Sequence, residues 1–168
     1  MIEQIAISEI QLSPLADHRA TGHIDGTVKV ALRLTMRNIG DDRLFATSAI
    51  TTVGYSDADR VLCIGFQDYE ALAASERRRP FVVRFITVEP HSQSTIDTAL
   101  TSSLTFGALP EDDGPPSKRV CLYCDVDTIE ITVTYADQQP PIQMNLASGR
   151  QESGRGWRST HTRLSVHD

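Results

Sequence analysis

Residues 28–40, VKVALRLTMRNIG, constrain the fold more than any other stretch of this chain. Val28, Val30, Leu32, Leu34 and Met36 are apolar, while Lys29, Ala31, Arg33, Thr35 and Arg37 between them are charged, polar or small. Successive side chains of a strand point to opposite faces, so this rhythm describes a ribbon with one face in a core and the other in water. Asn38-Ile39-Gly40-Asp41 then supplies residues suited to turning the chain. The pattern implies a half-buried antiparallel sheet; it implies no reaction.

The same reading extends along the chain. Residues 2–12 read as a first strand with Ile5 and Ile7 on one face, though the alternation is imperfect. Residues 13–26, with Pro14, Gly22 and Gly26, read as a long loop. Residues 44–55 read as one strand bulged near Gly54, and Ser56-Asp57-Ala58-Asp59 as the turn of a hairpin with residues 60–66. Residues 68–79, DYEALAASERRR, alone have helical character, with an acidic start and a basic end; they read as a short helix or as a loop ending at Pro80. Residues 81–88 are strand-like, Glu89-Pro90-His91-Ser92 is a turn, and residues 94–106 make one strand or two. Residues 110–117, PEDDGPPS, form an internal loop. Residues 119–127 and 128–136 close the β region, with Ile129, Ile131, Val133 and Tyr135 alternating.

These elements predict an all-β chain, an immunoglobulin-like antiparallel β-sandwich of about eight or nine strands. Pro140-Pro141 marks the end of a domain over residues 1–139, leaving residues 140–168 as a flexible C-terminal arm. The final residues of that arm, RSTHTRLSVHD, suit one last strand on an edge or on a partner.

Size and charge narrow the function classes. A chain of 168 residues buries a substantial core. A formal net charge of −6 argues against nucleic acid as the main partner. The negative charge sits in the body, whereas residue 145 onward carries four Arg against two acids. The N-terminus has no basic and apolar leader pattern, and no apolar run approaches a membrane span, so cytoplasmic residence is the expectation.

The runs VALRLTMRNIGD and FVVRFITVEPHSQSTIDTAL resemble bacterial immunoglobulin-like sandwiches of the CARDB and related adhesion-repeat type. The likeness spans roughly residues 28–106. Asn38-Ile39-Gly40 and Pro90-His91-Ser92 occupy the places of that family's strand-ending Asn-x-Gly and Pro-containing turn. The resemblance implies a spacer or binding module with no shared catalytic residues.

Candidate chemistry is sparse. Cys121-Leu122-Tyr123-Cys124 is a C-x-x-C, but in an apparent strand its two thiols would point to opposite faces, which suits packing better than ligation. Asp57 and Asp59, Glu111, Asp112 and Asp113, and Asp125 and Asp127 read as solvated turn charges; Asp125 and Asp127 would share a strand face, where calcium is the alternative. His18, His23, His91, His161 and His167 form no ligand pair on one element. No metal or cofactor is expected.

Arg150, Arg155, Trp157, Arg158 and Arg163 form the expected partner-binding set, because Trp and Arg are over-represented where interfaces are strongest. The resulting expectation is a non-enzymatic protein–protein interaction or assembly module that docks through sheet edges and this arm onto another protein or a second copy. The alternative is a small-molecule-binding protein, or a small cyclase or isomerase, with an apolar pocket lined by Tyr55, Tyr69, Tyr123 and Tyr135. Carbohydrate binding is disfavoured, since aromatic residues make up only 6% of the chain.

Overall fold

The computed structural model describes residues 4–14, 29–66, 81–82, 84–106, 118–139, 143–144 and 158–167. Among these the regular structure is all strand. The strands are β1 (Ile5–Pro14), β2 (Lys29–Asn38), β3 (Leu44–Thr47), β4 (Thr52–Ser56), β5 (Val61–Phe66), β6 (Phe81–Val82) and β7 (Phe85–Val88). They continue as β8 (Gln93–Thr101), β9 (Ser103–Phe106), β10 (Lys118–Cys121), β11 (Thr128–Ala136), β12 (Gln143–Met144) and β13 (Arg158–Ser165). The segments read as a helix at 68–79 and as a loop at 110–117 lie outside the described residues. No helix among the described residues is long and apolar enough to cross a membrane.

Two larger sheets share one apolar core. The first has the order β1-β2-β8, antiparallel throughout. The second is built on β11, which pairs along one edge with β13 and along the other with β5 and then, at Tyr135 and Ala136, with β3. β4 extends the sheet beyond β5, and β7 extends it beyond β3. Pairs β9–β10 and β6–β12 are small separate sheets.

The rhythm of residues 28–40 maps directly onto β2. Val30, Leu32, Leu34 and Met36 are fully buried, and their neighbours face outward. They meet Ile129, Ile131, Val133 and Tyr135 of β11 and Leu62, Ile64 and Phe66 of β5 in a single cluster. Removing those branched and aromatic side chains from water is the main stabilising term, of order 2 kcal/mol for each large residue. The imperfect alternation of β1 has a local cause. Its register to β2 shifts between Ile7 and Glu9, so the inward phase passes from Ile5 and Ile7 to Ile10 and Leu12.

Several expectations needed correction. The second sheet is mixed, because β5 and β11 run parallel; alternation sets which face a strand buries and says nothing about the direction of its neighbour. Residues 44–55 are two strands, since β3 joins β11 and β7 while β4 pairs with β5. Residues 94–106, expected as one strand or two, are two. The β region holds more and shorter strands than eight or nine for this reason. Residues 119–127 do not form one strand: β10 stops at Cys121 and a turn follows. Within the segment read as a flexible arm, Arg158–Ser165 is an edge strand of the larger sheet.

Candidate docking edge

β13 places two of the five expected partner-binding residues, and it places them on opposite faces. Arg158 lies opposite Tyr135 in the ladder, on the face that also carries buried Thr160. Its guanidinium donates to Gln4 Oε1 at 2.9 Å, and the Gln4 N–H donates to the Tyr135 hydroxyl at 3.3 Å. Arg158 therefore ties the start of β13 to the start of β1, across the two sheets. Arg163 faces outward and pairs with Glu130 at 2.9 Å. Arg150, Arg155 and Trp157 lie outside the described residues.

The outward face of this sheet is polar. Cys63, Glu130 and Arg163 occupy one row across β5, β11 and β13. Partial desolvation, reinforced by the Glu130 carboxylate, pushes the Cys63 thiol above its usual range. His161 Nδ1 lies 2.9 Å from Thr132 Oγ1, and Thr134 and Ser159 hydroxyls are 3.2 Å apart. These cross-strand pairs pin the register of β13 on β11. On its other edge β13 has no strand partner among the described residues.

The residues considered for a ligand pocket do not converge. Tyr135 is a core residue whose hydroxyl is already hydrogen-bonded. Tyr55 stacks on Phe106 and donates to the Asp125 carbonyl at 2.7 Å. Tyr123 is 42% exposed on a turn, and Tyr69 lies outside the described residues.

The acidic residues are drawn apart by separate partners. Asp57 pairs with Lys118, and Asp59 accepts from the Ser56 hydroxyl. Asp125 and Asp127 do not share a strand face: Asp125 caps the Cys121 N–H at 2.7 Å, while Asp127 meets Arg60 at 2.9 Å and His167 at 3.5 Å. The Arg60 guanidinium holds the Asp127 carboxyl below its ordinary value. Glu111, Asp112 and Asp113 lie outside the described residues, as do His18 and His23. Among the described residues no group of three or more His, Cys, Asp or Glu could hold a metal ion.

Cys121 and Cys124 also depart from expectation. They flank a turn, and the Cys124 N–H donates to the Cys121 carbonyl at 3.2 Å. An acidic residue directly after the second cysteine was the available signal, since Asp favours turns over strands.

The burial of two polar residues escaped the sequence reading. Asn38 is fully buried at the end of β2. Its side-chain amide donates to the carbonyls of Asp42 at 2.7 Å and Val88 at 3.0 Å, and its Oδ1 accepts the Gly40 N–H at 2.9 Å. Its own N–H donates to the Ser92 carbonyl. The two motifs behind the family resemblance thus meet in space, with His91 Nε2 2.8 Å from Asp41 Oδ1 at the surface. Thr47, also buried, donates from one hydroxyl toward the carbonyls of Phe66 and Thr134, where β11 exchanges β5 for β3 as its neighbour.

Comparison of the chain with protein-family models, curated proteins and solved structures gives no match.

Proposed function

We propose that this chain is an immunoglobulin-like β-sandwich that acts without catalysis, as a protein–protein interaction or assembly module. Its docking element is the outer edge of β13, with Trp157 and the arginines that precede it in sequence. The observation that carries this reading is the one-sided pairing of β13. All eight of its residues pair with β11, and no described strand pairs along its other edge.

A strand so placed presents a row of main-chain N–H and C=O groups that an extended segment of another chain can continue. Arg163, Ser159 and His161 line one face of that edge. The proximity of β1, through Arg158 and Gln4, makes the side of the molecule a ledge rather than a single exposed ribbon. The sharing of one core by two larger sheets supports the sandwich reading, while the parallel β5–β11 pair departs from a purely antiparallel version.

The partner proposed is another protein chain, and a second copy of this one is tested first. Deleting everything after Pro141 is a poor test, because it would strip β13 from β11 and expose the core beside Thr160. Proline at His161 and, separately, at Thr162 is better. Adjacent strand residues direct their N–H groups to opposite edges, so one variant loses a β11 bond and the other an outward donor. Mass photometry and amide exchange across a concentration series should show full-length chains associating, with β13 amides protected as they do. The better-folded proline variant should remain monomeric. Monomers at every concentration, or association unchanged in both variants, would overturn docking of this chain to itself by its β13 edge.

A further inference from the structure

We propose that Cys121 and Cys124 form a redox-active dithiol that reduces a disulfide of another thiol compound and closes to an intramolecular disulfide. The geometry comes from the turn that ends β10. Cys124 N–H donates to the Cys121 carbonyl at 3.2 Å, and Asp125 N–H donates to the same carbonyl at 2.8 Å. Such a turn brings the first and fourth Cα atoms within about 7 Å, and disulfides span about 4.4–6.8 Å between Cα atoms. Neither thiol is fully buried, and the Cys124 residue is exposed.

The turn is held from several sides. Leu122 is buried in the core, and its N–H donates to the Ser102 carbonyl at 2.8 Å. Arg60 Nη2 donates to the Cys124 carbonyl at 2.7 Å, and the Tyr55 hydroxyl donates to the Asp125 carbonyl. Asp125 Oδ2 accepts the Cys121 N–H. These contacts fix the backbone on which both sulfurs sit and leave the sulfurs themselves accessible. A disulfide needs only those two sulfurs, and the carboxylate of this turn is already engaged as a cap.

The two thiols differ in character. The Cys124 thiol and the N–H groups of Cys124 and Tyr123 donate toward the Cys121 sulfur, holding its thiol below the usual range. The same contact with Cys121, together with desolvation, holds the Cys124 thiol above its usual range. Either thiol can open the exchange, and with Cys121 as the attacking thiolate Cys124 is the resolving thiol. Cys121 Sγ attacks one sulfur of R–S–S–R; the Cys121–S–R bond forms as the S–S bond breaks, and RS⁻ leaves to take up a proton. Cys124 loses its proton to solvent, attacks Cys121 Sγ, and expels the second RS⁻. Two electrons pass from the protein to the external disulfide, and two RSH are released.

The full chain incubated with oxidised and reduced glutathione, then alkylated and digested, tests this directly. The peptide carrying both residues should lose two hydrogen masses reversibly, while Cys63 remains alkylatable. Cys124→Ser and Cys121→Ser should each accumulate a glutathione mixed disulfide at the remaining cysteine of the pair, and neither should form the internal disulfide. Absence of the internal disulfide at every glutathione ratio would overturn the proposal. So would one-to-one zinc binding that protects both thiols and survives oxidised glutathione.

Discussion

β2 and β11 are both central strands with one oily face, yet their neighbours are of different kinds. β2 lies between β1 and β8, antiparallel to each along nearly its whole length. β11 has β13 along one edge, and along the other a parallel strand that gives way to β3 near its end. Both send every second side chain inward, but β11 is buried on both faces from Val133 to Ala136. The difference lies in what closes the ladder. β2 is completed by antiparallel pairing on both edges, with one register shift toward β1, and a buried Asn at its end, and β11 by a Thr bridging an exchange of partners.

The largest expected effects test whether the two strands are equal contributors to one core. Leu34→Ala in β2 and Ile131→Ala in β11 should each lower unfolding free energy by about 2–5 kcal/mol in chemical denaturation. A loss near zero at either site would place that strand outside the shared core. Asn38→Ala removes both amide donors and leaves the buried Val88 carbonyl and the partly buried Asp42 carbonyl without them, which should lower stability by about 2–4 kcal/mol. A smaller loss than in Thr47→Val would reverse the ranking of the two strand ends.

Thr47→Val keeps the shape and deletes the hydroxyl between Phe66 and Thr134 carbonyls, and should lower stability by about 1–3 kcal/mol. Its amide-exchange signature should be confined to the junction of β3, β5 and β11, with β2 unaffected. The smallest effect concerns Asp127, which leads into β11 and has a lowered carboxyl pKa. The stabilisation from its Arg60 pair is fully present above the ordinary value of 3.8 and is lost as the pH falls through the depressed folded value. Asp127→Asn should therefore flatten acid unfolding slightly below that pH and leave neutral behaviour nearly unchanged, as expected of an exposed pair. A large loss at neutral pH would show that the entry to β11 depends on more than this ion pair.

The strands that alternate cleanly were legible without a structure. Val30 to Met36 and Ile129 to Tyr135 fall inside as their spacing demands, because the two-residue period is a property of the backbone itself. The turn at 89–92 and the hairpin joining β4 to β5 were legible too, from Pro, Asp and Ser at turn positions. Of the candidate docking residues, Arg158 and Arg163 could be nominated by type but not aimed. Which face each occupies depends on the register of β13, and that register appears only when β11 is in place.

The C-x-x-C was visible as four letters, but its geometry was misread while the turn after Cys121 was taken for strand. Local sequence thus determined which side chains avoid water, where several reversals fall, and the all-strand character of the described chain. Tertiary structure alone decided the parallel join of β5 to β11, the burial of Asn38 and Thr47, and the anchoring of the Cys121–Cys124 turn by Ser102 and Arg60. Those outcomes depend on pairing between segments far apart in sequence, where hydrogen bonds are satisfied by whichever backbone arrives, and no short-range pattern encodes that arrival.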